Sequence, residues 1–86
     1  MRQPYHPSGR QIAAARALLG LSQQDLATAA RISVPTLRRM EAAEGPAPGI
    51  VNNVEAVRRA LEVAGIEFIP QNGAGPGLRL RMRTTS

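Results

Sequence analysis

The chain lacks cysteine and lysine, and it has one histidine, one aspartate, one phenylalanine and one tyrosine in 86 residues. Without cysteine there is no disulfide framework and no thiolate metal site. The only histidine, His6, sits in a proline-rich leader, so neither a metal site nor acid–base work is built around it. No glycine-rich phosphate loop follows a strand, and the glutamates form no pair at catalytic spacing, so catalysis is set aside and no cofactor is implied. No apolar run is long enough to span a membrane, and the N-terminus carries Pro4, Tyr5, His6 and Pro7 where a secretory signal would need apolar residues; a bacterial cytoplasm is the expected setting. Arginine supplies every basic side chain and alanine is abundant, a skew that a GC-rich genome explains without any function. The length allows one small domain with a modest core. The net charge of +5 suits a polyanionic partner but does not demand one.

What is present is mostly helical period. Met1 to Ser8 has no pattern and reads as a flexible leader, or as an arm lying against a partner. From Gly9 the chain places Ile12, Ala15, Leu18 and Leu19 on one helical face, and Gly20 stops that helix. Ser22 then caps a second helix bearing Leu26, Ala27 and Ala30 on one side. After a break at Arg31-Ile32, Ser33 caps a third helix, with Pro35 in the first turn where a missing N–H costs nothing. Leu37, Met40 and Glu41 continue it. Glu44 to Gly49, with Pro46 and Pro48, cannot continue a helix. A fourth helix runs from about Ile50 to Ala64, with Ile50, Val54, Val57, Leu61 and Ala64 at steps of four and three, and Gly65 ends it. Arg58 and Arg59 on this helix are expected to face water.

The period then changes to two. Ile66 to Ile69 is β-branched and aromatic, Pro70 to Pro76 is turn chemistry, and Gly77 to Arg83 alternates strictly. This predicts an antiparallel hairpin with Leu78, Leu80 and Met82 facing inward and Arg79, Arg81 and Arg83 facing out. An isolated hairpin is marginal, so it should pack on the fourth helix or pair with a second subunit. The arginine stripe can meet DNA or an acidic partner, or simply guard an edge strand against aggregation. The expected fold is mainly α: a compact bundle of about four helices containing a helix-turn-helix (residues 9–65), then a C-terminal two-stranded β-hairpin and tail (66–86), after a leader (1–8).

The two short helices from Gly20 to Glu41 cannot bury their stripes alone and must rest on a larger helical core. A tight turn that holds a second helix outward is a plan for entering the DNA major groove. Over Ile12 to Glu41 the sequence resembles the XRE family of Cro and lambda-repressor type. Gln23 opens the first motif helix, Leu26 and Ala27 supply its apolar and small residues, Ile32 plugs the turn, Thr36-Leu37 matches the Thr-Ile pair, and Glu41 closes the motif. The resemblance implies that Gln23 clamps a phosphate and that Arg16 pairs with Glu41, bracing the first helix against the third. It also implies that Ser33, Val34, Pro35, Thr36, Arg38 and Arg39 form the binding surface.

Two positions depart from that family. Arg31 stands where glycine is usual, in a turn whose positive φ strains a residue with a Cβ by about 1 kcal/mol. Val34 and Pro35 stand where a polar side chain such as glutamine would read a base edge; neither makes that bond, although Val34 can touch a thymine methyl. Arg38 and Arg39 meet phosphates or guanine edges in one reading and form an ordinary solvated face in the other. The leading expectation is a small transcriptional regulator, a repressor or tuner of a nearby promoter, binding double-stranded DNA as a homodimer on a palindromic site. The alternative is an antiactivator or antitoxin that keeps the fold and sequesters a protein.

Overall fold

A computed structural model describes residues 7–43, 51–69 and 77–81. The elements are α1 (Gly9–Leu19), α2 (Gln23–Ala30), α3 (Val34–Ala42), α4 (Val51–Val63), β1 (Ile66–Ile69) and β2 (Gly77–Leu80). Serines start the first three helices. Ser8 Oγ accepts from the Gln11 N–H and Gln11 Oε1 accepts from the Ser8 N–H, a reciprocal box that Ser22 and Asp25 repeat at α2. Ser33 Oγ accepts from the Thr36 N–H at α3. Residues at positive φ end three of the four helices, Gly20 (φ 72°) after α1, Arg31 (φ 60°) after α2 and Gly65 (φ 119°) beyond α4, whereas α3 ends at an extended Ala43.

The core is formed by Ile12 and Ala15 of α1, Leu26, Ala27 and Ala30 of α2, Leu37 and Met40 of α3, Val54, Val57 and Leu61 of α4, and Ile66 of β1. Ile32 in the turn is partly buried against it. Helix α3 packs on α1 and α2, while α4 packs on α2 and α1. The strands pair antiparallel, with Ile66 opposite Leu80, Glu67 opposite Arg79, Phe68 opposite Leu78 and Ile69 opposite Gly77. β1 packs on α4 and β2 on α1, which supplies the support that two strands need.

Several expectations are corrected. Leu18 is 51% exposed, and Leu19 packs on the core instead. Leu19 lies two turns after Ile12 on nearly the same line, whereas Leu18 falls about a third of a turn away. The leader ends earlier than residue 8, because the Pro7 side chain is fully buried and Ser8 caps α1; residues 1–6 lie outside the described residues. Arg58 does not face water: its guanidinium bonds Glu55 (2.6 Å) and Glu62 (2.8 Å), three residues before and four after on the same side of α4. Those bonds, the one to Glu55 foremost, raise its pKa further above the ordinary arginine value against the opposing effect of burial. Arg59 is exposed, and so is Ala64 beyond the end of α4. On β2, Leu78 packs inward but Leu80 is 49% exposed. Leu80 lies at the end of the ladder beside Gly65, which has no side chain to cover it. Arg79 faces outward and pairs with Glu67 across the strands, and Arg81 folds back to donate to the Glu62 carbonyl. The proline-glycine segment 44–50, the hairpin turn 70–76, Met82 and Arg83 lie outside the described residues.

Gly9 fixes how closely α1 and α3 approach. A Cβ at this position would run into the carbonyl oxygens of Met40 and Ala43, both backbone atoms at the end of α3. Gly9→Ala should therefore force the helices apart and destabilise the domain by about 1–3 kcal/mol. A urea melt unchanged by the substitution would show that the two helices do not approach this closely.

Candidate nucleic-acid interface

Helix α3 has two unlike sides. Leu37 and Met40 are buried, and Val34 is half-buried against the core. Pro35, Arg38, Arg39 and Ala42 are exposed on the other side. At its start Ser33 Oγ donates to Thr36 Oγ1 (2.8 Å), so both hydroxyls are oriented at the exposed end of the helix. The guanidinium groups of Arg38 and Arg39 have no partner among the described residues.

The one carboxylate on α3 is turned away from that surface. Glu41 accepts at Oε2 from Arg16 Nε (2.9 Å) and at Oε1 from a terminal Arg16 nitrogen (3.1 Å). Its Oε1 also accepts from Gln23 Nε2 (3.0 Å). The third arm of Arg16 donates to the Leu21 carbonyl (3.0 Å) in the link between α1 and α2. The Glu41 side chain is only 6% exposed and that of Arg16 23%. The bonds to Glu41 raise the Arg16 pKa above its ordinary value, with burial opposing, so this guanidinium stays charged. One carboxylate thus joins α1, the start of α2 and the end of α3.

The residues assigned to the surface from sequence do not all reach it. Ser33, Pro35, Arg38 and Arg39 are exposed, Thr36 is half-exposed, and Val34 turns partly inward. Gln23 stands at the α2 N-terminus with its amide held by Glu41, a bond that no local pattern announces. Arg31 was singled out for its backbone alone, yet its exposed side chain also has no partner among the described residues.

A cavity of about 350 Å³ opens elsewhere, lined by Glu62, Ile66, Glu67, Phe68 and Arg81. Its two carboxylates are occupied by Arg58 and Arg79. Among the described residues no group of three histidine, aspartate or glutamate side chains is placed to hold a metal ion, and no helix is long and apolar enough to cross a membrane. A family model described as a helix-turn-helix domain matches residues 9–67, more than half of the chain. No curated protein matches the chain.

The three-helix joint has a measurable consequence. Glu41→Ala leaves Arg16 and Gln23 without their acceptor and should destabilise the domain by on the order of 2 kcal/mol. Adding Arg16→Ala should cost much less than its effect in the wild-type background, because contacting residues are not additive. Fully additive losses in thermal or urea melts would mean that the pair contributes nothing jointly.

Proposed function

The chain belongs to the helix-turn-helix domain family, and from that premise we propose that it is a DNA-binding transcriptional regulator of the XRE type, with α3 entering the major groove. The carrying observation is the charge division on α3: Arg38 and Arg39 are exposed without partners among the described residues, while the helix's only acid is tied inward. An outer face with cations and no anion suits phosphate oxygens and the acceptor edge of guanine. Ser33 and Thr36 add hydroxyls at its leading end. A phosphate at the α2 N-terminus would meet backbone N–H groups rather than the Gln23 amide, which Glu41 holds. With Val34 partly inward and Pro35 lacking a donor, base discrimination rests on Thr36, Arg38 and Arg39. Binding as a homodimer on a palindrome would double this small contact set.

The alternative, capture of an activator or toxin on the same surface, would rest on Val34 and Pro35, which give α3 an apolar start and no side chain that reads a base edge. Val34 packs against the core, and that packing accounts for its apolar character. Pro35 is the exposed apolar side chain that remains at that end.

Replacing Arg38 and Arg39 together with alanine should weaken binding to the DNA upstream of the gene and lower the log–log salt slope by about 2, close to one unit per lost phosphate contact. Both side chains are exposed, so the melting temperature should barely move. Equal affinity and equal slope for the double variant, measured by fluorescence anisotropy, would remove α3 from the interface. Failure of the unmodified protein to bind DNA, beside a stable protein complex, would favour the alternative.

A further inference from the structure

Arg10 aside, which also has a partner, the described arginines divide into two sets. Arg16 is held by Glu41, Arg58 by Glu55 and Glu62, Arg79 by Glu67, and Arg81 by the Glu62 carbonyl. Arg31, Arg38, Arg39 and Arg59 have no such partner among the described residues. Three of these four lie on the turn and helix that form the proposed DNA surface, and Arg59 stands alone on α4.

Arg31 is the unusual member. It is the one described residue other than glycine at positive φ, with φ 60° and ψ 44°. Its backbone closes α2, the Arg31 N–H donating to the Thr28 carbonyl (3.2 Å) and the Ile32 N–H to the Ala27 carbonyl (3.0 Å). That task needs only a backbone in the left-handed region, which glycine adopts without strain and asparagine with little. The arginine side chain contributes nothing to it: it is exposed and bonds no described residue. A bulky residue held in a sparsely populated conformation, with no hydrogen bond or ion pair to a described residue in return, points to a role outside the chain.

We infer that Arg31 is a further DNA-backbone contact, reaching a phosphate beside the groove that α3 enters. The inference rests on the DNA-binding reading and adds to it a residue outside α3. The contact carries no base information. It supplies affinity through charge, and it fixes the turn against the backbone so that Arg38 and Arg39 meet the groove in one register.

Function and fold then pull in opposite directions at this one position, and the experiment uses that. Arg31→Gly and Arg31→Asn in the full chain should both melt higher than the unmodified protein, the glycine variant by roughly 4–8 °C. Both should bind the upstream DNA about fivefold to tenfold more weakly at 0.1 M salt, with a salt slope lower by about 0.9. Arg59→Ala, which removes an equal charge from α4, should change neither. Unchanged affinity and slope in both Arg31 variants, while the unmodified protein binds, would overturn the inference and leave the DNA reading standing. So would an equal loss in Arg59→Ala, which would trace the effect to net charge. A loss in the glycine variant with normal binding by the asparagine variant would trace it to backbone freedom and overturn it as well. Absence of DNA binding by the unmodified protein would remove the DNA reading first, and the Arg31 contact with it.

Discussion

The carboxylate of Glu41 is the joint on which the rest of the domain depends. A helix of nine residues such as α3 is far below the length at which a helix holds itself in water, so its direction must be imposed from outside. Burial of Leu37 and Met40 holds it down but leaves it free to pivot about that apolar seam. The bonds from Arg16 and Gln23 remove that freedom by tying the far end of α3 to α1 and to the first residue of α2. Gly9 acts at the same end, letting α1 come within contact of the Met40 and Ala43 carbonyls. Close approach and charge pairing therefore fix one angle together.

The joint also shapes the surface. An exposed glutamate beside Arg38 and Arg39 would cancel part of their field and repel phosphates. Turned inward, the same carboxylate neutralises Arg16 instead and leaves the outer face of α3 cationic. On α4 and the hairpin the opposite rule holds, with Arg58 and Arg79 each bound to glutamate. Apart from the exposed Arg59, charge is cancelled on α4 and the described strands and left open on the turn and on α3.

Much of this was legible in the sequence because it follows from local chemistry. The caps at Ser22 and Ser33, the stop at Gly20 and the α4 stripe of Val54, Val57 and Leu61 are read directly, as is the change of period at Ile66. The left-handed strain at Arg31 was legible too, since the turn demands it whatever residue is there. What was misread depends on crossing geometry. Leu18 and Leu19 compete for one stripe, and only the position of the neighbouring helices selects Leu19. Val34 looked like a surface residue because it starts an outward helix, but the first turn still leans on the core. The need for glycine at position 9 arises from backbone atoms more than thirty residues away, and no pattern near Gly9 encodes it. Arg58 was different: glutamates three before and four after it were there to be read.

The claim that the start of α2, the turn at Arg31 and the outer face of α3 form the working surface, and that its ligand is DNA, is tested most directly by mapping backbone amide shifts as the upstream duplex is titrated into the isotope-labelled protein. Shifts should concentrate at the α2 start around Ser22 to Gln24 and from Arg31 through Arg39, and fade as salt is raised. Shifts confined to α4 and the hairpin, or none at low salt, would contradict it.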